Sequence, residues 1–320
     1  MTVIVAPDSF KGTHTAPAVA DAIARGLEAA GVTALRLPVA DGGEGTLDVL
    51  RAPLGLDIVE ADGVNPWHST IPAKWGLSPD GIAVVEVAQT CGLTTPHHGI
   101  RDPRTADTVG VGRQIVDAAR RGAREIVVAV GGSATTDGGV GAISAIEEAG
   151  GLGGTEITVL SDVRTRYCDA ATVFGPQKGA DPADVEFLTR RLHATRAELP
   201  RDPQGVEGSG AAGGLAGGLW ACFDARIVSG AGFVLDALGF ADAVTSARAV
   251  IVGEGRLDAQ TAEGKIVSEI LLRSAGVPVH AVVGTVDDSA DALSAFADVR
   301  IASTIIELEA AGRDLGAWYR

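Results

Sequence analysis

The chain has 320 residues, with 26 Lys plus Arg against 41 Asp plus Glu and a formal net charge of −15. A balance this acidic, with no basic tail or stripe to reverse it locally, repels nucleic acid and anionic membrane; the length exceeds the roughly 250–300 residues at which single cores tend to split, so two domains are expected. Cys91, Cys168 and Cys222 lie far apart without Cys-x-x-Cys spacing, which argues against a disulfide framework and a structural zinc site and points to the reducing cytoplasm.

From the start, Thr2 to Ala6 reads as a buried strand and the sequence around it lacks the basic region of a secretory leader. Ala16 to Ala30 carries Val19, Ile23 and Leu27 on one helical face, and Gly31 stops it. Strand Leu35 to Val39 and helix Glu44 to Leu50 complete a β-α-β-α opening with a parallel sheet expected. After Pro53, three β-type runs at Ile58-Val59, Ser69 to Gly76 and Ile82 to Val87 are separated by turn residues alone, which predicts an antiparallel meander. The alternation then resumes: helix Val109 to Arg121, strand Glu125 to Val130, helix Val140 to Ala149, strand Ile157 to Leu160, helix Pro182 to Leu199, and apolar helices around Leu215 to Phe223 and Phe233 to Leu238. Strand Ala249 to Val252, helix Lys265 to Ala275, strand Val277 to Val283, helix Asp288 to Phe296 and strand Val299 to Ala302 follow. The last third returns to the composition of the start. The expected architecture is therefore α/β, with a doubly wound parallel sheet formed by both chain ends (residues 1–55 plus 240–320) and an inserted mixed-sheet α/β domain (56–239); a contiguous split near residue 150 is the alternative. The longest uncharged run, Gly208 to Phe223, is too short and glycine-rich to span a membrane and reads as a loop entering a buried helix.

Four glycine-rich segments hold acids or bases beside glycine: 40–46, 131–139, 174–179 and 253–260. Glycine lets backbone approach a ligand or turn at positive φ, and in open α/β sheets ligands sit beyond the carboxyl ends of the strands. Known fingerprints do not explain them. The single Gly-x-Gly-x-x-Gly, Gly208 to Gly213, follows a polar stretch instead of a strand, Gly264-Lys265 lacks the upstream glycine of a P-loop, and no histidine pair has metal spacing. What remains is the inventory of phosphoryl transfer: amides and Lys or Arg to spread charge, one carboxylate for a metal and another to orient or deprotonate a hydroxyl. Asp8, Ser9 and Lys11 supply an acid, a hydroxyl and a base at the end of the first strand. Gly131 to Asp137 supplies amides, hydroxyls and an acid at a helix start, where an anion is favoured; ordinary helix capping by Ser133, Thr135 and Asp137 is the competing reading.

Taken in order, Ala6 to Gly12, Pro38 to Thr46, Gly131 to Thr135 with Asp137-Gly138-Gly139, Val173 to Ala180, Gly210 to Gly214, and Gly253 to Gln260 with Gly264-Lys265 resemble the motifs of the bacterial type I glycerate kinase family. The resemblance implies ATP-dependent, magnesium-assisted phosphorylation of D-glycerate, usually to 2-phosphoglycerate. It also implies two α/β domains, one of them flavodoxin-like and built from both chain ends, with the site between them, in a monomer or homodimer. On these motifs Asp41, Asp258, Lys11 and Asp8 are the catalytic candidates. Arg256, whose planar fork suits a carboxylate, joins Ser9, Gln260 and Glu44 as substrate-binding candidates. Gly131, Gly132, Ser133, Thr135, Asp137, Gln177, Lys178 and Lys265 are assigned to phosphate or nucleotide, and Asp137 and Glu254 to magnesium. The chain departs from the family at Thr136, where asparagine is usual, in the short stretch between Gly150 and Ile157, and after Asp162-Val163, where Arg164 to Tyr167 replace an Asn-Pro segment. These losses are expected beside the site loops. A sugar-acid-binding sensor without turnover and a kinase for another small hydroxy acid are the competing functions.

Overall fold

The computed structural model describes residues 2–10, 12–257, 266–286 and 293–320. Contacts divide the chain into two compact units, residues 1–41 with 231–320, and residues 42–230. The cassette at 40–46 is therefore shared, Asp41 going with the terminal unit and Gly42 onward with the other.

The terminal unit is built on a five-stranded sheet, β1 (Thr2–Pro7), β2 (Ala34–Arg36), β9 (Ala247–Leu257), β10 (Val279–Val286) and β11 (Asp298–Ile301), in the order β11-β10-β9-β1-β2. Every pairing in it is parallel. Numbered within the unit, the order is 2-1-3-4-5, that of flavodoxin. Alternate side chains explain why the strands are apolar throughout. Val3, Val5, Ile251 and Val282 pack with Val19, Ile23 and Leu27 of helix Ala16–Ala29 and with Leu308 and Leu315 of helix Ile305–Gly316. Ile4, Ala6, Val250, Val252 and Val283 face the other way, onto Leu235, Phe240, Ile266 and Ile270. A sheet covered on both faces has no polar side, so its strands read as continuous hydrophobic runs.

The second unit has a six-stranded sheet in sequential order: β3 (Asp57–Val64), β4 (Thr70–Leu77), β5 (Ile82–Glu86), β6 (Glu125–Ala129), β7 (Glu156–Leu160) and β8 (Arg226–Val228). The first three are antiparallel, as the turn-separated runs predict, and β5 to β8 are parallel. Val85, Val128 and Val159 share one core with Val111 and Ile115 of helix Val109–Arg120, Ile146 of helix Val140–Glu148, and Leu215 and Leu219 of helix Leu215–Phe223.

Four expectations change. β9 continues through Leu257, so Glu254 and Arg256 lie in a strand opposite Val283 and Thr285 instead of in a following loop; parallel pairing with β10 carries the extended backbone through the glycines. The short connection after helix Val140–Glu148 enters β7 at Glu156, which pairs with Glu125 at the start of β6. It therefore lies at the amino edge of the parallel strands, opposite the glycine loops that follow β6. Helix Ile305–Gly316 and helix Phe240–Thr245 were not expected. The first is fixed by a capping box in which Thr304 and Glu307 bond each other's backbone amides. The helix expected from Asp288 falls largely outside the described residues.

Candidate active site

In the terminal unit, the residues that follow β1 and those that end β9 stand where the strand order reverses, the place at which doubly wound sheets bind ligands. A pocket of about 420 Å³ opens there, lined among others by Asp8, Ser9, Asp41, Glu254, Arg256 and Thr285. Its walls come from five strands' carboxyl ends: Asp8 and Ser9 after β1, Asp41 beyond β2, Glu254 and Arg256 in β9, Thr285 in β10 and Ser303 after β11. The backbone amide of Asp8 donates to Gly253 O at 2.8 Å, tying the first loop to β9, and the amide of Ser9 donates to the Asp8 carboxylate at 2.6 Å. Larger cavities exist, but one surrounds Arg273 and another lies on the β3–β4 hairpin, away from any candidate. Of the expected residues, Asp8, Ser9, Asp41, Glu254 and Arg256 are thus brought together in one concavity. Lys11, Asp258, Gln260 and Lys265 lie outside the described residues.

In the second unit the glycine segments meet one another. Gly131 N donates to Gly42 O at 3.1 Å, and a Cβ on Gly131 would fall 2.5 Å from Gly43 Cα, so this contact requires glycine. The 210–214 segment closes from another side: Gly138 N donates to Gly213 O, and a Cβ on Gly213 would lie 2.1 Å from Thr135 O. Lys178, in the short 3₁₀ turn Pro176–Lys178, reaches into the same loop and donates to Ser133 Oγ at 2.9 Å and Thr135 O at 2.7 Å. Burial of its ammonium lowers the pKa from 10.5 to about 7, a shift that the carboxylate of Asp137 opposes. A buried lysine whose charge is only partly offset suits an incoming anion, which would draw its pKa back up. Ser133 and Thr135 are buried, with Thr135 Oγ1 left without a partner, and Gly132 and Gln177 face solvent.

Asp137 sits inside this loop. It is 4% exposed, and its Oδ2 accepts from Thr108 N, Thr108 Oγ1 and Gly141 N while Oδ1 accepts from Gly139 N. With both oxygens accepting from its neighbours, the carboxylate braces the loop from within, and its bond from Gly141 N reaches the first turn of helix Val140–Glu148. Magnesium takes one or two carboxylates and fills its remaining positions with water and phosphate oxygens. The carboxylates of the terminal pocket, Glu254 among them, are hard oxygen donors that fit this requirement.

Two residues join the candidates without having been expected. Arg191, on helix Pro182–Glu198, donates to Thr136 O at 2.6 Å and to Arg104 O at 2.7 Å, and its charge faces Asp137 and Asp107. It holds the loop through the backbone, so the replacement of asparagine by Thr136 leaves that contact intact. Glu86 ends β5 at 2% exposure, and burial pushes its carboxyl above the usual glutamate range against the opposing pull of Gln89 and the amides of Leu47 and Gly45. An acid closing the apolar run Ile-Ala-Val-Val was a visible signal for Glu86; nothing in its helix distinguished Arg191.

Comparison with known proteins identifies the family. The sequence model of the Glycerate kinase family matches residues 3–153 and 149–315. Glycerate kinase of Halalkalibacterium halodurans is 36% identical over 91% of this chain and 87% of its own length. Glycerate 2-kinase of Escherichia coli K12 is 32% identical over 90% of this chain and 86% of its own. A crystal structure from Salmonella typhimurium LT2 described as glycerate kinase 2 superposes with a TM-score of 0.84 at 29% identity, covering 100% of this chain and 98% of that one. Similarity over nearly the full length, in sequence and in fold, makes this protein an enzyme of the glycerate kinase family.

Proposed function

We propose that the enzyme transfers the γ-phosphoryl group of ATP to D-glycerate and releases 2-phosphoglycerate. The observation that carries this reading is the pocket at the strand-order reversal of the terminal unit, where an arginine, carboxylates and a hydroxyl share one concavity. Arg256 takes the glycerate carboxylate in its bidentate fork, and Ser9, Gln260 and Glu44 bind the substrate hydroxyls. Asp41 or Asp258 orients or deprotonates the accepting hydroxyl, with Asp8 and Lys11 completing the catalytic set. The second unit serves the nucleotide: the amides of Gly132 and Ser133 on the turn that Gly131 sets, the side chains of Thr135, Gln177 and Lys178, and Lys265 neutralise phosphate oxygens. Glu254 is the protein ligand for magnesium, which when bound withdraws charge from the phosphate oxygens. The name of the Escherichia coli relative supports the 2-position.

The test is a coupled assay for ADP release with D-glycerate, ATP and magnesium, with the product's phosphate position read by phosphorus–proton coupling in NMR. Glycerate-dependent ADP release with phosphate on C2 is the expected result. Glycerate binding without ADP release would establish the sensor reading, and turnover with a different hydroxy acid in preference would reassign the substrate.

A further inference from the structure

Helix Thr46–Arg51 begins at Gly45, a residue at φ 92° whose lack of a side chain leaves the first turn without a cap of its own. The amides at a helix start need acceptors. Here they find one on another strand. Glu86 Oε1 accepts from Leu47 N at 3.5 Å and the carboxylate also draws on the amide of Gly45, while Oε2 accepts from Gln89 Nε2 at 3.0 Å. The turn it faces is closed by Thr46 Oγ1 donating to Gly43 O at 2.7 Å, packs Gly43 against Gly131, and carries Glu44 out to solvent. A carboxylate at 2% exposure is costly to bury. Glutamine could accept the same amides, so what this position supplies is an acceptor reaching from β5 to the start of the helix.

We propose that Glu86 is a positioning residue for phosphoryl transfer, fixing the Gly43–Thr46 turn from beneath so that Glu44 meets substrate in one conformation. This rests on the reading of Glu44 as a substrate-binding residue.

The experiment compares Glu86→Ala, Glu86→Gln and Glu44→Gln as full-length enzyme, each checked for folding by near-ultraviolet circular dichroism. Amide hydrogen exchange over residues 43–49 and the kinetic constants for glycerate and ATP are measured on all three. In Glu86→Ala, exchange over 43–49 should accelerate by about fivefold to tenfold, the range of a lost helix cap. Its kcat/KM for glycerate should fall by a similar factor while the KM for ATP stays put, and Glu86→Gln should recover the larger part of both losses. A purely structural role would lower thermal stability without splitting the two substrates. Unchanged exchange in Glu86→Ala overturns the proposal, and so does faster exchange with intact glycerate kinetics. In that last case Glu44→Gln separates the two failures: if it impairs glycerate use, the substrate reading stands and only the positioning role is lost, whereas if it too is without effect, the substrate reading has failed.

Discussion

Lys178 offers a quantitative test, because its ammonium is held inside a loop that supplies a hydroxyl and a carbonyl but leaves the charge only partly compensated. Burial lowers its pKa from 10.5 to about 7. Between those two values the unfolded chain keeps a proton that the folded chain has released, so rising pH favours the folded state by about 1.4 kcal/mol per unit once the folded lysine is neutral. From pH 7, where the folded group is half titrated, to pH 9 this amounts to about 2 kcal/mol. Lys178→Met removes the titration while keeping a side chain of similar length. Urea denaturation of both proteins at pH 7 and pH 9 isolates the effect in the difference between them, followed by tryptophan fluorescence; Trp67, Trp75 and Trp220 of the four tryptophans lie in the 42–230 unit. Relative to Lys178→Met, the parent should gain about 2 kcal/mol on going to pH 9. A difference that stays flat across this interval would show that Lys178 is solvated and would remove the reason for placing phosphate beside it.

Gly213→Ala combines a left-handed φ of 64° with a Cβ 2.1 Å from Thr135 O, and should destabilise the protein by about 2–4 kcal/mol. Gly179→Ala, with φ 89° and nothing within 4 Å of the new carbon, should cost only about 1 kcal/mol; equal melting temperatures for the two variants would contradict the contact between the 131–139 and 210–214 segments. Arg256→Lys should raise the KM for glycerate far more than that for ATP, and a parallel rise in both would take the carboxylate away from Arg256. Asp41→Asn or Asp258→Asn, whichever removes the base, should cut kcat by about 10²- to 10⁴-fold with nucleotide binding nearly unchanged. If both keep turnover within about tenfold of the parent, the role passes to Asp8.

Much of the fold was legible because its strands are buried on both faces and its turns are marked by glycine. Val3 to Ala6 and Ile126 to Val130 are apolar at every position, which leaves few other readings. Less visible were features that depend on pairing across the sequence. The extension of β9 through Gly253, Glu254, Gly255 and Arg256 depends on β10 lying alongside, and glycine beside charge otherwise reads as loop. Residue type marked Asp8, Asp41 and Arg256 as candidates, and the fold lines one pocket with them. It could not separate a ligand-facing acid from a loop strut. Asp137 has the same neighbours in sequence under either role, and the donors arriving from Thr108, Gly139 and Gly141 are visible only in the fold. Arg191 was hidden for the converse reason: it acts through a backbone carbonyl, which leaves no mark on the residue it holds.

The pairing of β1 with β9 has a consequence for how the chain comes to be folded. Residues 2–7 are synthesised well before the partner that flanks them opposite β2, which starts at Ala247. Until that partner is made, β1 and β2 form a two-stranded parallel fragment, too small to be stable in water. Everything from Gly42 to Gly230 emerges in between and owns a core to which neither chain end contributes. Collapse of that stretch shortens the effective loop that closure of the terminal sheet must bridge. A lesion confined to the inserted unit would therefore appear first as delayed closure of the terminal sheet, and the pocket lined by Asp8, Asp41 and Arg256 would be the last part of the enzyme to form.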